Sequence, residues 1–271
     1  MTTLQKVIKY LAIAFAIFLI VSIIGGILSA VGLLGGLFST DAVLEDVKTY
    51  PVTGRIRNLD IEINAADLYI KEGESFSVES NLKHLKVVEK GGLLTIQETT
   101  KLTGTYNGAV LTVYVPAGTV FDHMELTTGA GRLTAERLTS DTLDFELGAG
   151  DVAIRFLVAI SSANIEGGAG RITVSEGALQ DLDLEMGVGQ LNLTAALTGD
   201  CQLDLGIGES NLTLIGNQDE YRLDLEKGIG NITVDGKSIT DYGSSGNGAN
   251  RVEINGGIGA INVRFVNVIE A

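Results

Sequence analysis

The sequence predicts an all-β fold: a single-stranded parallel β-helix, or β-solenoid, of about 19–20 residues per coil, expected right-handed and carried on an N-terminal transmembrane helix. Three observations predict it. The pattern Gly-x-Gly recurs at 129/131, 148/150, 168/170, 187/189, 206/208, 228/230 and 257/259, and from 129 to 206 the step is 19 or 20 residues. Apolar and polar residues alternate before each glycine pair. Tyr10 to Phe38 form a stretch of 29 residues without a charge. A period near 20 marks a solenoid, because one such unit cannot bury its apolar face alone and must stack on its neighbours.

The elements follow in chain order. Residues 1–9, with Lys6 and Lys9, form a short polar N-terminus, and residues 10–38 exceed the roughly 20 apolar residues that span a bilayer. A cleaved secretory signal would have an apolar core of only about 7–15 residues, so a retained anchor is expected. Lysines precede the span, and Asp41, Glu45 and Asp46 follow it. The positive-inside rule then places the N-terminus in the cytoplasm and the rest of the chain outside. One cysteine, Cys201, suits an exported domain that needs no disulfide.

Residues 39–58 are expected to be a linker and 59–271 the solenoid domain. The first coil is degenerate: Leu59, Ile61, Ile63, Leu68 and Ile70 keep the apolar positions, while Asn64 and Ala66 stand where the glycines recur. Residues 71–120 interrupt the repeat with alternating segments at 75–80, 85–89, 93–98 and 109–115. These are expected to form an antiparallel meander capping the first end, since an uncapped solenoid exposes an edge. Pro116 closes the last of them.

The regular coils come next, eight in all counting the first. Leu182, Leu184 and Met186 lie five, three and one residues before Gly187, as Leu143, Phe145 and Leu147 do before Gly148. This period of two marks a strand with one buried face. Ala130, Ala149, Ala169, Val188, Ile207, Ile229 and Ile258, between the paired glycines, continue the alternation and are expected on the same face. The phase then slips, and the next apolar positions are four and six after the first glycine, as at Leu191 and Leu193. A bend keeps both strands facing one core. The structural glycines Gly148, Gly150, Gly168, Gly170, Gly187, Gly189, Gly206, Gly208, Gly228, Gly230, Gly257 and Gly259 are expected to supply it. Residues 236–250, rich in Gly and Ser, read as a flexible loop before the last coil.

The N-terminal anchor, the opening strand Leu59-Asp60-Ile61-Glu62-Ile63, the segment Leu111–Pro116, the serial Gly-x-Gly coils, and the Gly/Ser loop before a last coil resemble the "putative adhesin", or toastrack, domain family of membrane-anchored bacterial envelope proteins. The resemblance spans about residues 45–268. It implies a β-helical fold and a role at the cell envelope, often beside membrane-stress systems, and it brings no catalytic residues.

Candidate functional residues lie on the outer face of each first strand. Four residues before the first glycine stand Asp60, Glu125, Asp144, Asn164, Asp183, Gln202, Asp224 and Glu253; two before it stand Glu62, Thr127, Glu146, Glu166, Glu185, Asp204, Glu226 and Asn255. Twelve of these sixteen are acidic, a large part of the net charge of −15. Stacked carboxylates about 5 Å apart repel by about 0.8 kcal/mol per pair in bulk water, less in salt. Divalent cations, a basic partner or lysines from the return loops would offset this. The acidic face (Asp144, Glu146, Asp183, Glu185, Asp204, Asp224, Glu226) offers the hard oxygen ligands Ca²⁺ or Mg²⁺ require. It lacks the Gly-Gly-x-Gly-x-Asp phrase of calcium β-rolls, and a solubilising face is the plainer reading. The second strands carry Thr134, Thr173, Asn192, Asn211, Thr233 and Asn262 outward, a set suited to hydrogen bonding along the ladder.

Other chemistries find little support. A dinucleotide fingerprint needs one glycine cluster between a strand and a helix, whereas this pattern recurs with no helix. Cys201 falls in the inward column of Leu182, and His84 and His123 have no triad partners in view. The acidic balance disfavours nucleic acid. Two function classes remain. The chain is read as a non-enzymatic envelope interaction module, a sensor, scaffold or accessory of an envelope-stress system that engages an envelope protein or a cationic peptide. The alternative is a surface adhesin that binds wall polymer, glycan or another cell.

Overall fold

The computed structural model describes residues 44–99, 107–239 and 242–267. The expected anchor at 10–38 lies outside the described residues, and among those described no helix is long and apolar enough to cross a membrane.

The described chain is all-β. The first coil is β2 (Asn58–Ala65) and β3 (Asp67–Gly73). A continuous extended segment, β8 (Phe121–Gln180), then winds through three coils, followed by one coil each in β9 (Leu182–Thr198) and β10 (Asp200–Ile215). Neighbouring coils pair in parallel and in register: Leu184 lies opposite both Ile165 and Leu203, and Leu193 opposite both Val174 and Leu212. At roughly 4.8 Å per coil, each apolar position becomes a column. Phe145, Leu184, Leu193 and Leu203 are 1% exposed or less. Each such leucine contributes about 2 kcal/mol of burial.

Stacking explains the glycines. A Cβ on Gly208 would lie 1.7 Å from the carbonyl oxygen of Gly189, and its φ of +149° suits no L side chain. The first glycine of the pair is also constrained, since a Cβ on Gly206 would lie 2.1 Å from Gly187 O. Each would-be Cβ points at the backbone of the coil before it. Among the described residues, no glycine pair precedes the first coil at its corner. There Glu98, on β6 (Leu93–Glu98) and only 4% exposed, accepts hydrogen bonds from the backbone N–H of Asn64 (2.9 Å) and Ala65 (3.4 Å). A carboxylate thus binds the backbone of the corner that carries Asn64 and Ala66 in place of the glycines.

The residue between the glycines is not in the core, which corrects the sequence expectation. Ala130, Ala149 and Ala169 are exposed, Val188, Ile207 and Ile258 are half-buried, and Ile229 is 41% exposed. The bend turns the corner outward over three residues before the phase slip brings Leu191 back inside.

The stretch expected as a linker holds a strand, β1 (Leu44–Pro51). The 71–120 insertion contains β4 (Ser77–Leu82), β5 (Leu85–Lys90), β6 and β7 (Val110–Pro116). It is not a simple antiparallel meander. β6 and β7 extend the coils in parallel, on β2 and β3 respectively, and the antiparallel pairs β5–β6, β4–β7 and β1–β4 add on outside them.

The last coils are not in sequence order. After β10 the chain passes a short 3₁₀ turn (Gln218–Glu220) and forms β11 (Tyr221–Glu226) and β12 (Ile229–Val234). The final coil, β15 (Asn250–Val266), pairs in parallel with β10 on one side and with β11 and β12 on the other. It therefore sits between its two predecessors. Within 236–250, β13 (Lys237–Ser238) and β14 (Tyr242–Ser245) pair antiparallel with β12 and β11, on the side away from β15. Residues read as a flexible loop thus cover the far edge. Tyr221, 2% exposed, closes the crossover: its hydroxyl donates to Ile215 O at 2.6 Å and accepts from Leu197 N–H at 3.3 Å, and its ring lies 5.5 Å from that of Phe265.

Candidate functional site

The acidic columns form as register requires. Asp60 lies opposite Glu125, Glu166 opposite Glu185, Glu185 opposite Asp204, and Asp224 opposite Glu253. A groove of about 660 Å³ runs along them. Glu146, Glu166, Glu185 and Asp204 stand along one side, and Gly148, Gly168, Gly187, Gly206 and Gly257 form the floor. The floor is open because glycine has no side chain to fill it.

Charge relief along the stripe is uneven. At the far end Arg251 donates from Nε to Asp224 at 2.9 Å and from a terminal nitrogen to Glu253 at 2.6 Å, while Arg222 lies 3.5 Å from Asp224. Partial burial works against the charge of Asp224. The Arg251 and Ser244 hydrogen bonds and the two guanidinium charges outweigh it and hold the carboxyl below the usual carboxylate range. Amides relieve other members: Asn164 donates to Asp144 at 3.0 Å, Asn255 and Gln202 to Asp204 at 2.8 and 2.9 Å, and Gln97 to Glu62 at 2.6 Å. Glu226 is also partnered. Glu146, Glu166 and Glu185 are exposed, occupy three successive coils, and face no cation in any ion pair among the described residues. Asp183 is exposed in the neighbouring column. The expectation of lysines reaching across is not met for this central trio.

The carboxylates stack rather than converge, and among the described residues no group of three His, Cys, Asp or Glu is placed to hold a metal ion. Ca²⁺ or Mg²⁺ would meet a line of single carboxylates there, not a cage of six to eight oxygens.

The polar columns of the second strands do bond along the ladder. Asn211 donates to Asn192 Oδ1 at 3.1 Å, Asn262 to Asn211 Oδ1 at 3.0 Å, and Thr233 to Asn262 Oδ1 at 2.9 Å. Cys201 is 3% exposed; burial pushes its thiol up, and it bonds Leu182 N–H and Thr198 O, each at 3.4 Å. His123 pairs with Thr142 at 2.8 Å. Sequence reasoning missed the arginine clamp and the Glu98 corner. Arg222 and Arg251 each stand six residues before the first glycine of their coils. That repeat is a legible sign of two stacked cations needing carboxylates.

Fold and columns together define a capped all-β stack of parallel coils built on paired glycines. The chain belongs to the family described as Toastrack DUF4097, whose model matches residues 56–245. Among solved structures it is similar to a "putative cell adhesion protein" from Clostridium sporogenes (14% identity, 82% of this chain and 99% of that chain, TM-score 0.40). It is also similar to a "putative adhesin" from Bacteroides fragilis (13%, 83% and 100%, TM-score 0.48) and to another from Parabacteroides distasonis (14%, 83% and 98%, TM-score 0.43). No curated protein matches it.

Proposed function

We propose that this protein is a non-catalytic interaction module of the cell envelope, held to the membrane by residues 10–38 with its N-terminus in the cytoplasm and its coils outside. It serves as a sensor, scaffold or accessory of an envelope-stress system, and its partner is an envelope protein or peptide that presents positive charge. One observation carries this reading: Glu146, Glu166 and Glu185 stack along an open groove and form no ion pair among the described residues. The repulsion of such a column is relieved when a basic partner docks. The faces are long, regular and chemically repetitive, as suits contact with an extended surface rather than one reacting atom.

The test is cross-linked co-purification of the full-length protein in mild detergent, beside the triple variant Glu146→Gln/Glu166→Gln/Glu185→Gln. Membrane proteins or peptides recovered by the wild type and lost from the variant support the reading. Identical recovery from both sinks it. Wall polymer recovered equally by both would favour the adhesin alternative, which would use the Thr/Asn face. The ladder speaks against that alternative, because it commits the Asn211 and Asn262 amides internally.

A further inference from the structure

The residues between the paired glycines form an outward ridge. Val188 lies opposite Ile207, Ile207 opposite Ile258, and Ile258 opposite Ile229. Four branched aliphatic side chains thus occupy four successive coils, half-buried or, for Ile229, 41% exposed. A glycine column flanks the ridge on each side, so no neighbouring side chain within the corner covers it. The column on one side is the floor of the acidic groove, through Gly187, Gly206 and Gly257. Glu185 and Asp204 stand two residues before that floor in the same coils that contribute Val188 and Ile207.

We infer that this corner binds a cationic amphipathic α-helix laid along the stack axis. Its apolar stripe rests on Val188, Ile207, Ile258 and Ile229, and its Lys or Arg side chains reach Glu166, Glu185 and Asp204. The pitch decides for a helix. One helical turn rises about 5.4 Å against about 4.8 Å per coil, so side chains at i, i+4 and i+7 keep step with the ridge to within about 2 Å over four coils. An extended strand along the same axis places same-face residues about 6.8 Å apart and falls out of step by about 2 Å at every coil. The matching helix has about four turns, or ~15 residues. Charge selects its sign and excludes other occupants. A second copy of this chain brings another net charge of −15, and an anionic bilayer surface is repelled by the same carboxylates. The inference deepens the proposed function, since it rests on the acidic groove being a docking surface.

The experiment uses the full-length protein in nanodiscs of zwitterionic lipid, with empty nanodiscs as control. The probe is an 18-residue Leu/Lys peptide of helical periodicity, compared with a peptide of the same composition scrambled to remove the apolar face. The amphipathic peptide is expected to bind about tenfold more tightly. Ile207→Ser/Ile258→Ser removes that advantage and leaves the scrambled peptide unchanged, while Glu166→Gln/Glu185→Gln weakens both. Should the serine pair lower the melting temperature, Ile229→Ser on the most exposed ridge position makes the same comparison. Equal binding of the two peptides to the wild type overturns the ridge inference and leaves the groove reading standing. No binding of either peptide, or binding indifferent to the glutamine pair, overturns both.

Discussion

The side-chain amide of Asn262 donates to Oδ1 of Asn211 at 3.0 Å, across 51 residues of sequence. The same Asn262 accepts from Thr233, which precedes it in the chain but lies on its other side. This relationship records the insertion of the final coil between the two before it. β15 shares a full parallel register with β10, so β11 and β12 pair with β15 and not with the coil they follow in sequence.

The order can be tested by cross-linking. In a Cys201→Ser background, Asp204→Cys with Asn255→Cys places two outward cysteines on directly opposed residues. Neighbouring parallel strands are about 4.8 Å apart, within the ~4.4–6.8 Å that a disulfide spans. This pair is expected to form an intramolecular disulfide on mild oxidation. Asp204→Cys with Glu226→Cys, which serial stacking would bring together, is expected not to. The opposite result, read by mobility on non-reducing gels, removes the inserted-coil topology.

Glycine substitutions separate stacking from local turn preference. Gly208→Ala sets a methyl group 1.7 Å from Gly189 O at a φ of +149°. It is expected to cost about 3 kcal/mol or more. Gly236 has a φ of +75° and nothing within 4 Å of its would-be Cβ. Gly236→Ala is expected to cost only about 1 kcal/mol. Denaturant melts of the two variants make the comparison, and equal costs would mean that close coil stacking is not what selects glycine.

The outward placement of Val188 predicts tolerance where alternation alone predicts failure. Val188→Asp should fold, because its carboxylate reaches water at the corner. Leu184→Asp, in a column 1% exposed, buries an unpaired charge and should not fold, since that costs several kcal/mol. Leu184→Ala is expected to lose about 2–5 kcal/mol. Soluble yield and circular dichroism decide between the two aspartate variants; parallel failure would return Val188 to the core.

The Asp224 clamp predicts a pH dependence. Its folded pKa lies below the ordinary value of 3.8. The stability it contributes is therefore fully present above about pH 4 and is lost as pH falls through the depressed folded value. Melting temperatures of wild type and Asp224→Asn should differ at neutral pH and draw together as pH falls below about 4. A gap that persists into that acid range would show that charge is not the source of the difference.

Much of this fold is legible in the sequence because stacking is a local rule applied repeatedly. Period two fixes which residues of Leu182–Met186 point inward, and the parity slip after Gly189 fixes a bend. Once coils stack in register, like positions become columns, and the acidic stripe and the asparagine ladder follow. The groove was not legible, since it is the space left where glycines from separate coils align. Glu98 was not legible either. Its role comes from reaching the backbone of Asn64 and Ala65 from a strand more than 30 residues away in sequence, and an alternating strand pattern carries no mark of that.

The sequence by itself determined the coils, their period, their inward columns and the chemistry of each outward face. It did so because backbone pairing and burial act within a single turn. Tertiary structure decided the order of the last three coils. Their phrases offer the same columns, so permuting them satisfies the same pattern equally well. The only local sign is the connection. A single residue, Asp181 or Gly199, joins adjacent coils, whereas residues 216–220 carry the chain from β10 to β11 past an intervening coil. Tertiary structure also decided that Val188, Ile207, Ile229 and Ile258 face outward, because the bend takes three residues to turn and leaves the middle one on its convex side.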